Sequence, residues 1–203
     1  MMKFAHGVLA MTAAALVACG GGKPAQNGGN TAMASTDTAA ATAAPAAATQ
    51  GAMTMPDWMK VDSAAKTVTL DIEAGKTADN NHWNYNGYYA GKEATITVPE
   101  GYKITINFKN DDPAMAHSLG VDSLYTSFPP AFTNPTPIFP GAMTSNPTDM
   151  TKATQPGTTE TIHFTASKAG NYALNCYIPG HALAGMWVHF DVSADGKAGV
   201  TTS

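Results

Sequence analysis

Short runs in which apolar side chains take every second position recur along the chain, separated by turn residues rather than by helical stretches. In residues 66–72, Val68, Leu70 and Ile72 fall on one face, the period of a half-buried strand. The same alternation returns in 94–98, 103–108, 159–165, 171–176 and 186–192, with Pro99, Glu100 and Gly101 forming a turn between the first two of these. No long amphipathic helix competes with them. Many short strands with Gly/Pro punctuation bury a core by stacking two sheets or closing one into a barrel, so the expected fold is all-β, a Greek-key sandwich or barrel. Residues 122–157 interrupt the pattern with seven prolines and no alternation. A connection that long is usually functional or packed over something. It is expected to cover one flank of the sandwich, anchored by Phe128, Phe132, Ile138 and Phe139.

The strands begin late. Residues 1–18 carry Lys3, then an apolar stretch from Gly7 to Val17, and end in Leu16, Val17 and Ala18 before Cys19. That pattern reads as a signal peptide. The apolar stretch is shorter than the ~20 residues that span a bilayer. A small residue just before a cysteine resembles a bacterial lipobox, which implies cleavage before Cys19 and its lipidation. Residues 19–56 then form a linker of Ala, Thr, Gly, Asn and Ser that cannot bury a core, a disordered tether. The sandwich is expected over 57–196 and a C-terminal tail over 197–203. The chain is accordingly read as exported, with a lipid anchor in the membrane, on the outer side of the cytoplasmic membrane or in the periplasm.

Charge narrows the partners. The 203 residues hold 11 basic and 15 acidic side chains, a formal net charge of −4, and every basic one is Lys. Without a basic face or a guanidinium fork, nucleic acid is excluded as a partner.

Only two cysteines occur, Cys19 and Cys176. With Cys19 consumed by lipidation, Cys176 is a lone thiol in an exported protein and needs a chemical or structural reason. Its surroundings supply one. Cys176, His181 and Met186 stand at five-residue intervals on one loop between two strands, and His117 follows the strand at 103–108. Two imidazoles, a thiolate and a weak axial thioether are the donor set of a blue-copper centre. Soft sulfur favours Cu(I), and imidazole serves both valences. All four positions are filled by protein, whereas a catalytic metal site keeps one open. The expected role is therefore electron transfer at one type 1 copper and not enzymatic catalysis.

The stretch from Cys176 to Met186 resembles the ligand loop of the cupredoxins, with the longer Cys-to-His spacing of rusticyanin and sulfocyanin rather than that of plastocyanin. Residues 84–88, 94–98, 101–107 and 176–182, with Gly185, Met186 and Trp187, are similar to sulfocyanin, and the likeness covers most of 66–192. The resemblance implies His117, Cys176 and His181 as equatorial ligands and Met186 as the axial one. The Pro-rich insert after Val121 has no counterpart in it, and Ser118 after the first ligand resembles rusticyanin more. From its position Ser118 is expected to hydrogen-bond to the Cys176 loop, while Pro179 stiffens that loop and removes one N–H. Sparse hydrogen bonding to sulfur and a dry site are expected to raise the reduction potential. Ile178, Pro179, Ala182, Leu183 and Ala184 are expected to form an apolar rim around the edge of His181, where redox proteins such as a respiratory complex, a terminal oxidase or a cytochrome would dock on a monomeric carrier.

Rival readings have weaker support. A copper-binding module for delivery or storage would use the same ligands without efficient redox exchange. A nitrite reductase or multicopper oxidase needs repeated His-x-His pairs, and His82, His163 and His189 form none. No Gly-x-Ser-x-Gly elbow supports an esterase. Met53, Met55 and Met59 read more readily as packing or exposed residues than as a thioether site for Cu(I), and the aromatic group Trp83, Tyr85, Tyr88 and Tyr89 more readily as core and edge packing than as an electron relay or ligand site. Met115 stands near enough to His117 to pack over the metal.

Overall fold

The computed structural model describes residues 51–203, so the expected signal peptide, the lipidated Cys19 and most of the tether lie outside the described residues. Among the described residues, nine strands form two sheets, joined by loops and one 3₁₀ turn, Asp79–His82. The first sheet orders β1 (Met59–Asp62), β2 (Thr67–Ala74), β4 (Lys103–Asn110) and β6 (Thr159–Thr165). The second orders β5 (Gly120–Ser123), β7 (Gly170–Asn175), β8 (Trp187–Ser193), β3 (Ala94–Pro99) and β9 (Gly199–Thr202). Two parallel pairs, β2 with β4 and β3 with β8, mark the crossovers that make this a cupredoxin-like sandwich rather than a run of hairpins.

Alternation decides which side chains enter the core. In β2 the inward residues Val68, Leu70, Ile72 and Ala74 are buried while their neighbours are half-exposed. In β4, Ile104, Ile106 and Phe108 do the same, and Phe190 and Val192 of β8 meet them from the second sheet. Each fully buried side chain of this kind stabilises the fold by roughly 1.5–3 kcal/mol. β3 departs from simple alternation. Thr95 and Thr97 on its outer face are also nearly buried, because β3 lies between β8 and β9.

Three strands escape the sequence pattern. β1 and β5 are four residues each, too short for a period to show. The third corrects the expected C-terminal tail: within 197–203, β9 pairs with β3 and is integral to the second sheet. The backbone of Thr54, placed in the linker by composition, exchanges hydrogen bonds with Val200.

The Pro-rich insert packs as expected, with one exception. Phe139 enters the main core, stacked on Phe164 at 5.7 Å with its edge toward Tyr172. Phe128 and Phe132 pack in a separate cluster with Ala173, Ala182 and Trp187. Ile138 is not an anchor. Its backbone N–H bonds to Val121 while its side chain stays 39% exposed.

Candidate metal centre

Two strand ends and two loops meet at one end of the sandwich. Cys176 follows β7 directly and Met186 immediately precedes β8. The antiparallel pairing of these strands sets Asn175 opposite Trp187, and the Cys176 N–H bonds to the Met186 carbonyl at 3.1 Å. The loop between them is closed by its own backbone, with Met186 N–H on His181 and His181 N–H on Ile178. Gly180 and Gly185 have positive φ, and a Cβ on Gly185 would stand 3.2 Å from that of Ala90.

His117 arrives from the connection between β4 and β5. Asn110 at the end of β4 folds that connection back, its amide donating to the Met115 and Thr154 carbonyls. The His117 N–H then bonds to the Thr154 carbonyl, so the Pro-rich insert supports the first ligand too.

The side chains converge. His117 Nδ1 lies 3.2 Å from His181 Nδ1, and Cys176 Sγ lies 3.6 Å from His181 Nδ1. The donor atoms of all three residues fall within 4.8 Å of one another, and all three residues are buried. Met186 is fully buried and tied by its backbone to both Cys176 and His181. Asp112 fixes the ring of His117: its Oδ2 accepts from Nε2 at 2.8 Å, which leaves Nδ1 as a lone pair aimed into the cluster.

Electrostatics agree with a cation-binding role. Burial drives the His181 pKa down to about 4, with the adjacent His117 adding to the effect. His117 is also lowered by burial, against the pull of Asp112. Both rings are thus neutral ligands near neutral pH. Burial raises the Cys176 thiol. Two lone pairs and a sulfur facing one another in a dry pocket are mutually unfavourable as anions or free bases. A soft metal ion at their centre relieves this and favours the thiolate. The donor set fits copper, supplied by two nitrogens, a thiolate and a thioether.

Ser118 stands where expected and does more than expected. Its hydroxyl oxygen accepts the Tyr177 N–H at 2.9 Å, bracing the ligand loop. Its backbone N–H and hydroxyl lie 3.4 and 3.6 Å from the Cys176 sulfur. The sulfur is therefore not sparsely hydrogen-bonded. Tyr85 is buried and donates to the Ser118 carbonyl at 2.6 Å, which holds this brace in place.

Two expectations about the surface need correction. Ile178 and Ala182 are buried rather than part of a rim, because they turn into the main core and the Phe128 cluster. Pro179, Leu183 and Ala184 remain exposed. The edge of His181 is also covered, leaving the residue 1% exposed. Trp83 stacks on its ring at 4.1 Å between centroids and 19° between planes.

Other candidates fall away from the site. His163 is exposed and bonds to Thr105, His189 packs edge-on to Trp187, and His82 lies at 3.5 Å from the Gly75 carbonyl. Met59 points into the core while Met53 and Met55 are exposed. Met115 is half-buried. Asp112 is the residue that sequence reading missed. An acid five residues before a ligand carries no period, and only the turn at Asn110 brings it onto the ring.

Residues 55–201 match the Sulfocyanin (SoxE) domain family. Sulfocyanin of Sulfolobus acidocaldarius is 33% identical over 129 residues, covering 62% of this chain and 63% of that protein. Among solved structures, dithionite-reduced auracyanin from the photosynthetic bacterium Roseiflexus castenholzii aligns at 27% identity and TM-score 0.42, covering 62% of this chain and 96% of that one. Rusticyanin from Thiobacillus ferrooxidans aligns at 24% identity and TM-score 0.40, covering 68% and 87%.

Proposed function

We propose that this chain, which belongs to the sulfocyanin family of blue copper proteins, is a membrane-anchored carrier of single electrons in a respiratory chain. The observation that carries the reading is the convergence of His117, Cys176 and His181 in a buried pocket with Met186 alongside. When bound, copper supplies a one-electron couple there. The protein's own residues hold the two imidazoles neutral, orient His117 through Asp112, brace the sulfur through Ser118 and exclude water. A site that changes little between valences suits rapid exchange.

The anchor and the partners complete the proposal. Lipidation of Cys19 and the linker after it would let the sandwich range from a membrane surface. Exposed Pro179, Leu183 and Ala184 offer a small apolar face for brief docking of redox proteins such as a quinol-oxidising complex, a terminal oxidase or a cytochrome.

Voltammetry of the copper-loaded protein, paired with a challenge by a Cu(I) chelator, tests the carrier reading. A reversible one-electron wave with copper retained supports it. Copper surrendered readily, without a reversible wave, would instead indicate delivery or storage.

A further inference from the structure

His181 is the ligand expected to face a redox partner, yet it is 1% exposed, and His117, Cys176 and Met186 are wholly buried. Every direct edge of the metal centre is therefore closed to a partner's cofactor. What lies over His181 is the indole of Trp83, nearly parallel to it at 4.1 Å, and Trp83 is itself half-buried rather than enclosed like the ligands. Among the described residues no other aromatic residue stacks face to face on a ligand while staying only half-buried itself.

The stack is built rather than incidental. Trp83 is gripped at both backbone groups by Asn80: its N–H bonds to the Asn80 carbonyl at 2.9 Å, and its carbonyl accepts the Asn80 amide at 2.8 Å. Asn80, Asn81 and His82 all have φ between 50° and 64°, three consecutive non-glycine residues in the left-handed region. Such conformations persist only where the surrounding structure over-determines them, and they concentrate at functional positions. Buried Asn84 supplies that constraint, donating to the Thr77 and Asp79 carbonyls and accepting from Gly87 N–H.

We propose that Trp83 is the electron port of this protein, the surface group through which an external one-electron partner couples to His181. The inference rests on the carrier reading. The indole acts as a bridge and keeps its own oxidation state. Among the described residues its buried Nε1–H has no hydrogen-bond partner to take up a proton, so the protein offers no outlet for oxidation to a neutral radical. In the outward direction the reduced copper loses one electron, a one-electron oxidant such as a ferric haem gains it, and no proton moves.

The test compares the wild-type protein with Trp83→Leu, Trp83→Met and Trp83→Phe. In copper-free protein, NMR reads the stack directly: ring-current shifts on the carbon-bound protons of His181 are expected in the wild type and Trp83→Phe and lost in the aliphatic variants. In the copper-loaded proteins, oxidation of the reduced form by hexacyanoferrate(III) is followed by stopped flow. The rate is expected to fall several-fold in Trp83→Leu and Trp83→Met and to recover in Trp83→Phe, with the visible spectrum unchanged throughout. An unchanged rate in whichever aliphatic variant folds would overturn the port. A faster rate would also overturn it, showing the indole to be a shield over His181. If the wild type fails to exchange electrons at all, it is the carrier reading that fails.

Discussion

Ser118 concentrates several duties in one small residue, and one of them reverses an expectation. The sequence suggested that few hydrogen bonds at sulfur would raise the potential, but the structure places the Ser118 N–H and hydroxyl against Sγ. A donor withdraws charge from the thiolate, which then stabilises Cu(II) less. These bonds therefore push the potential up. Ser118→Ala removes the hydroxyl and is expected to lower the potential by on the order of 40 mV, the one-electron equivalent of about 1 kcal/mol per hydrogen bond, as voltammetry would show. Asp112 acts further out, through the ring of His117. Burial alone would raise its carboxyl, but the Ala114 and Met115 N–H groups and His117 outweigh that and hold it below its ordinary value. Asp112→Ala frees the ring to rotate and change tautomer, so copper affinity measured by chelator competition is expected to drop by roughly 10- to 100-fold. His181 gives the metal-free protein a pH signature. Folded, its pKa is about 4; unfolded, it titrates near ~6.5. In that window the unfolded chain binds the proton and the folded chain does not. The metal-free fold should therefore lose stability as the pH falls from about 6.5 toward 4, seen as a falling urea midpoint.

The strands at 66–72, 94–98, 103–108 and 159–165 were legible because each spans enough residues for alternation to separate a buried face from an exposed one. The Cys176 to Met186 loop was legible through its spacing alone. β1, β5 and β9 were not, since four residues give no period and their pairing depends on partners distant in the chain. The Pro-rich insert shows the same limit. Its aromatic residues announced packing, but which of them turn inward depends on the sheet beneath. Phe139 fits between Phe164 and Tyr172, whereas Ile138 faces outward. Phe139→Ala is expected to cost about 3–5 kcal/mol in denaturant unfolding. The same change at Ile138 is expected to cost little, since its side chain is already partly in water.

At the scale of the whole molecule, the rigid sandwich brings residues 64 positions apart, His117 and His181, into contact. The insert reaches this site from two sides. The Thr154 carbonyl accepts from His117 N–H, and the Pro130 carbonyl accepts from Gly180 N–H at 2.8 Å in the ligand loop. A centre gripped in this way has little freedom to reorganise, which a carrier of single electrons requires. It also explains why exposure of the ligands was misjudged from sequence: a rim of Ile178 and Ala182 is plausible on a bare loop, but here those side chains are absorbed by the core and by the Phe128 cluster. The ligand set as a whole is tested most directly by the visible absorption and electron spin resonance of one Cu(II)-loaded sample. An intense sulfur-to-copper band in the visible, with an unusually small copper hyperfine splitting, is the predicted result. A nearly colourless sample giving an ordinary cupric signal would contradict the assignment of Cys176 and its neighbours as a blue-copper site.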